Sequence, residues 1–213
     1  MARVAGSIQT VTAAVTPKGE RRRYALVRAA AELLCEGGFE AVRHRAVASR
    51  AGLPLASTTY YFASLDDLIV AAVEHIGLVE AAAMRGQIEG LSRRRRGPEA
   101  TVDVLVDLLV DDNPSGDQLI SRYERYIACA RQPALRGVQR RILQQRTESV
   151  GEVLERCGRC ARGETLSALV CAVDGAVVSA LVDNAGSPRE TARATLIDVI
   201  DVFAPYDKRA VRV

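Results

Sequence analysis

The chain has 213 residues with a formal net charge of +3, 4% aromatic residues, no tryptophan and five cysteines, enough for one or two domains of ~100–200 residues. Abundant Ala, Leu, Val and Arg without alternating β-branched runs point to an all-α protein. An odd cysteine count without framework spacing fits reduced thiols of a cytoplasmic protein, the longest apolar helix is interrupted by Asp174 and Asp183 so that no run reaches the ~20 residues of a membrane span, and no glycine-rich phosphate loop, HExxH or GxSxG word suggests catalysis, a metal site or a cofactor.

Residues 1–17 have no sustained period and no apolar stretch of the ~7–15 residues of a secretory leader, so they read as a flexible arm. KGERRR (Lys18 to Arg23) follows, suited to lie along phosphates and equally to start a solvated helix. The first helix shows a broad apolar stripe of Leu26, Val27, Ala30, Ala31, Leu33 and Leu34, and stops at Gly37-Gly38, after which Phe39 is expected to plug a small core. From Lys18 to Phe62, Lys18, Arg21, Arg22, Arg23, Arg28, Arg43, Arg45 and Arg50 face only Glu20, Glu32, Glu36 and Glu40, an electrostatic footprint for phosphate.

The stretch RHRAVASRAGLPLASTTYYF (Arg43 to Phe62) organises the chain. Arg43 to Ala51 has helical spacing, and Gly52 stands where a helix end favours positive φ. Pro54 suits a first helical position, and Leu55 to Phe62 forms a second short helix with Thr58 and Phe62 on one side. Two short helices around a glycine turn make a helix-turn-helix, or an ordinary αα-hairpin. On the second helix Leu55, Ala56, Ser57 and Thr59 are small or apolar enough to approach base edges, and Tyr60, Tyr61, Arg43 and Arg45 can reach phosphates.

The words AAAELL (Ala29 to Leu34), GGFEAV (Gly37 to Val42), RAVASRAGLP (Arg45 to Pro54), TTYYF (Thr58 to Phe62) and SLDDL (Ser64 to Leu68), in order and without gaps, resemble the DNA-binding domain of the tetracycline-repressor (TetR/AcrR) family of bacterial transcription regulators. The resemblance implies operator binding to double-stranded DNA, a C-terminal domain with an effector cavity, and a homodimer. Against the family pattern, Arg43 stands where a Thr commonly caps the first helix of the motif, Leu65 where a Lys commonly touches phosphate, and Leu53-Pro54 where a Val-Ser cap is frequent. A phosphate contact is thus expected to move to Arg43, and the second helix to lack a side-chain cap.

Ser64 can cap a further helix with Asp66 and Asp67 in its first turn, running to about Leu91. Arg93 to Arg96 before Gly97-Pro98 read as a solvated connection. Three amphipathic helices follow: Glu99 to Asp112 with Val102, Leu105, Val106 and Leu109 inward; Asp117 to Arg131 with Leu119, Tyr123, Tyr126, Ile127 and Ala130; and Pro133 to Cys157 with Leu135, Val138, Ile142, Val150 and Leu154. Thr165 to Val182 is apolar nearly all round and should be buried on two sides. Ser187-Pro188 starts a last helix with Ala192, Leu196, Val199, Ile200 and Phe203 in a stripe. Paired with their copies, these two helices make a four-helix dimer interface.

Cys157-Gly-Arg-Cys160 is a lone CxxC, short of the four ligands of structural zinc, and leaves a thiol- or metal-responsive regulator as the alternative to a small-molecule sensor. Tyr123, Tyr126, Cys129 and Asp174, polar groups on otherwise apolar helices, are the candidate effector contacts. The expected architecture is a flexible arm (1–17), a three-helix helix-turn-helix domain (18–65), a sensing and dimerising helical bundle (66–205) and a tail (206–213), acting as a repressor that a small molecule releases from a palindromic operator.

Overall fold

The computed structural model describes residues 17–110, 114–183 and 186–207; residues 1–16 of the expected arm, 111–113, 184–185 and the part of the expected tail from 208 lie outside them. The described residues form nine helices: α1 (Pro17–Ala41), α2 (His44–Arg50), α3 (Ala56–Tyr61), α4 (Leu65–Gly90), α5 (Pro98–Val110), α6 (Gly116–Arg131), α7 (Pro133–Arg156), α8 (Glu164–Asp183) and α9 (Pro188–Phe203). Local chemistry sets most boundaries. α1 breaks at Gly37 and Gly38, the latter at φ 64°, and Gly52 turns the chain between α2 and α3 at the same φ, a region open to glycine at little cost. Ser64 caps α4 by accepting from the Asp67 N–H at 3.0 Å, and Ser115 with Gln118 closes a reciprocal capping box on α6.

Two apolar cores result. One gathers α1 residues such as Leu26, Ala30 and Leu34 with Val47, Phe62, Leu68, Val73 and Ile76, and it takes in Cys129, Leu135 and Val138 from α6 and α7. The other joins Ile88, Val102, Leu105, Leu109, Leu119, Val150, Leu154, Val173, Val177, Leu196 and Ile200. α4, α6 and α7 therefore run from one core into the other. Where each crosses between them it carries a polar side chain: Glu80 on α4, Arg125 and Tyr126 on α6, and Arg146 on α7.

Several expectations are corrected. Ile127 is 59% exposed and Ala130 is exposed, because Arg125 and Cys129 take the inward face of α6 instead. Arg96 is buried, donating to the carbonyls of Ser92 at 2.9 Å and Arg94 at 3.4 Å, so only Arg93 to Arg95 form a solvated connection. Pro54 lies ahead of α3 and accepts the Ser57 N–H; Ser187 sits at the N-cap of α9 without a side-chain cap bond. Phe39 packs against the N-terminal core as expected but from its edge, half-buried beside a shallow cleft with Glu124 and Ile127.

α8 is, by length and composition, apolar enough to cross a membrane, contrary to the reading from Asp174 and Asp183. In the fold Asp174 is ion-paired to Arg146 and one face of the helix packs inward through Leu169, Val173, Ala176 and Val177. The opposite face, with Cys171, Gly175, Val178 and Val182, is exposed in the single chain.

α4 packs tightly on α7 at Gly77, where an added Cβ would lie 2.5 Å from Cγ1 of Ile142. Gly77→Ala is expected to lower stability by ~1–3 kcal/mol through overpacking, and Ile142→Ala in the same chain should recover part of that loss. Thermal unfolding of the two variants checks this; an undiminished midpoint for Gly77→Ala would contradict the packing.

Candidate nucleic-acid interface and sensing cavity

Two polar links fix the motif, one tying α2 to α1 and one tying α2 to α3. Arg50 donates through Nη1 and Nη2 to Oε1 and Oε2 of Glu36 at 2.8 and 2.7 Å and lies 3.6 Å from Glu32. Its hydrogen bonds hold the Glu36 carboxyl below its ordinary range. Arg50, counted among the phosphate-facing charges, thus ties α2 to α1 instead. The second link is His44 Nδ1 to Thr58 Oγ1 at 3.0 Å. Since the Thr58 hydroxyl donates to the Leu55 carbonyl at 2.8 Å, the network assigns the proton to His44 Nδ1. Neither His44 nor the role of Arg50 was read from sequence, because their partners lie 14 residues away on another helix.

With Thr58 and Phe62 buried, the outer face of α3 carries Leu55 (46% exposed), Ala56, Thr59 and Tyr60 (81% exposed), with Ser57 and Tyr61 at its edges. Tyr60 and Tyr61 meet edge to face at 4.8 Å. Thr59 bonds back to the Ala56 carbonyl at 3.3 Å, and neither α2 nor α3 has a side-chain N-cap. Arg43 pairs with Glu40, whereas Arg45, Lys18, Arg21 and Arg22 are exposed with no carboxylate partner among the described residues. Leu65 packs against the N-terminal core and offers phosphate nothing.

The polar layer between the cores forms the second candidate site. Arg146, 4% exposed, donates through Nη1 to both Asp174 oxygens at 2.8 and 2.9 Å and through Nη2 to the Leu109 carbonyl at 3.3 Å. Arg122 donates to the same carbonyl at 3.0 Å, so two cations cover the C-terminal end of α5, where carbonyls lack helical partners. Tyr123 donates to Asp174 at 3.1 Å; burial, and then the neighbouring carboxylate, push its phenol far above the ordinary value. Burial alone would lower the Arg146 pKa, but Tyr126, Asp174 and Tyr123 more than offset that.

A cavity of about 200 Å³ opens on this layer, lined by Glu80, Met84, Leu108, Leu109, Tyr126 and Arg146, among others. Of the four candidate contacts Tyr126 lines it, Tyr123 and Asp174 stand behind Arg146, and Cys129 lies in the other core, its thiol pushed up by burial. Arg146 was missed although it shares the apolar stripe of Ile142 and Val150 at four-residue spacing, a signal the sequence contained. Cys157 is buried beneath Arg96, whose Nη1 is 3.8 Å from its sulfur, and no group of three or more metal-ligating side chains occurs among the described residues.

Residues 26–72 match the family model for bacterial regulatory proteins of the tetR family, and residues 96–202 match that for the tetracyclin repressor-like C-terminal domain. The chain belongs to the tetracycline-repressor family. Solved structures agree with that membership. Multidrug binding protein EbrR, complexed with imidazole, is 31% identical with a TM-score of 0.63 over 88% of this chain and 98% of that one; its ethidium complex aligns at 31% identity and 0.62 over 84% and 98%. A protein from Streptomyces coelicolor A3(2) described as a transcriptional regulator is 25% identical with a TM-score of 0.65 over 85% and 96%. No curated protein gives a significant match. The family is one of DNA-binding transcriptional regulators, and the matched N-terminal segment of this TetR-family chain contains α2 and α3 entire.

For this TetR-family chain, Tyr60→Ala and Arg45→Ala should each weaken binding to duplex DNA irrespective of sequence, and Arg45→Ala should lower the salt slope by about one. Thr59→Val should change base preference instead. Fluorescence anisotropy across a salt series checks this, and unchanged affinity for both Tyr60→Ala and Arg45→Ala would contradict the assignment.

Proposed function

We propose that the protein is a homodimeric cytoplasmic repressor that reads a palindromic operator through α3 and leaves it when a small planar aromatic molecule occupies the cavity beside Tyr126. The observation that carries this reading is the cavity's place on the polar layer, between the core that holds α1 to α3 and the core that holds α8 and α9. Ser57, Thr59 and Tyr60 supply the face toward DNA, with Arg43 and Arg45 at its flank. EbrR, a relative within the family, is solved with proflavin and ethidium, both planar aromatic cations. In this chain the Tyr126 ring, Met84, Leu108 and Leu109 offer a planar aromatic molecule an apolar slot, with Glu80, Arg122 and Arg146 as the charged groups of its wall.

Dimerisation is supported by the open stripe of α8, where Val178 and Val182 are 41% and 80% exposed, together with Val202 of α9 at 75%. Burying such a stripe against its own copy is the usual use of an unpartnered apolar face. Two reading heads must then sit about 34–36 Å apart to enter successive major grooves, so a small change in their spacing spoils one half-site.

For a ligand to cut operator affinity ~100-fold, its preference for the non-binding shape must be worth about 3 kcal/mol. Linkage then requires operator DNA to weaken ligand binding by the same factor. Titrating proflavin into the protein with and without an operator selected from random duplexes is the test. The expected result is a matching loss in both directions; equal proflavin affinities would sink the release mechanism, and no proflavin binding would sink the effector class.

A further inference from the structure

A second cleft lies outside the Tyr126 cavity. It encloses about 390 Å³ where α1, α4 and α6 meet, and its walls include Leu34, Cys35, Glu80, Gln118, Leu119 and Arg125. We infer that this cleft is a second ligand site, for a small molecule with a carboxylate head and an apolar body, whose head is held by Arg125 between the reading head and the bundle.

Arg125 is 5% exposed. Its Nη2 donates to Glu80 Oε1 at 2.6 Å, while its Nη1 is buried with no hydrogen-bond partner. A charged donor left unpaired inside a protein is unfavourable, and a carboxylate at this place would satisfy Nη1 without disturbing the bond to Glu80. Among the described lining residues Arg122 and Arg125 are the cations and Glu80 the carboxylate, and Glu36, beside Cys35, is already taken by Arg50. Gln118 accepts the Ser115 N–H through Oε1, which leaves its NH2 as a further donor, and Ser121 adds a hydroxyl. Leu34, Leu119 and Pro114 supply the apolar part.

The position gives the site a route to the DNA face. Cys35 precedes Glu36, which holds both terminal nitrogens of Arg50 on α2. An occupant wedged between α6 and the Cys35 turn of α1 displaces the anchor of the helix-turn-helix. The site stands apart from the proposed aromatic effector, sharing only Glu80 and Arg122 with the Tyr126 cavity, and its test does not depend on operator binding.

Cys35 is exposed and lines the cleft, so it reports occupancy. Iodoacetamide alkylation of the full chain, followed by peptide mass spectrometry, is measured with hexanoate and with hexylammonium. Saturating hexanoate is expected to slow Cys35 alkylation at least tenfold, leaving Cys160 unchanged, and hexylammonium to have no effect. Arg125→Lys keeps a charge for Glu80 but deletes the second arm, and should abolish the protection; Gln118→Ala, at an exposed position, should weaken it several-fold. No slowing by hexanoate, equal slowing by hexylammonium, or protection undiminished in both variants would overturn the assignment.

Discussion

Three helices cross from one apolar core to the other, and the pairing of the charges they bring to that crossing is the constraint on which the structure depends. α4 alone spans about 39 Å at ~1.5 Å per residue, burying Leu68 to Ile76 at one end and Ile88 at the other. Between those ends Glu80 meets Arg125, and Arg146 on α7 meets Asp174 on α8. Desolvated charges are tolerated only when paired and hydrogen-bonded, so α4 cannot slide past α6, or α7 past α8, without stranding a charge. The relative placement of the two cores is fixed by chemistry more directional than apolar packing.

The same layer explains where space remains. Ion pairs impose fixed distances and cannot fill volume as side chains in a core do, and both the Tyr126 cavity and the α1–α6 cleft border Glu80 and Arg122. The N-terminal core includes Cys129, Leu135 and Val138, so the turn between α6 and α7 rests directly on the helices that carry α2 and α3. α6 thus packs on α1 and α7 and reaches α4 through the Glu80–Arg125 pair.

Much of this was legible in the sequence because local rules and the tertiary fold agree. Gly37-Gly38, Gly52 and Ser64 mark their boundaries through backbone preferences that need no distant partner, and the apolar stripes of α5 and α9 fall on the buried faces. The outward face of α3 followed from Thr58 and Phe62 turning inward. The failures have the opposite character. Ile127 was expected inside because apolar spacing cannot reveal that Arg125, paired with a residue 45 positions earlier, occupies that face. Arg96 was expected in solvent because its carbonyl acceptors include that of Arg156, 60 residues away, in addition to its near neighbours. Cys129 was taken for a ligand contact from its spacing with Tyr126, yet α6 has already passed into the other core at that point.

The central claim is that the Glu80–Arg125 pair links the sensing layer to the DNA-binding helices rather than merely stabilising the fold. Replacing both residues by leucine tests it directly, since apolar substitution of a buried pair is often neutral or stabilising by ~1–4 kcal/mol. Thermal unfolding and operator affinity, the latter with and without proflavin, are measured on the double variant. The account predicts undiminished stability and operator affinity with loss of the proflavin response; a double variant that folds, binds operator and still responds in full would contradict it.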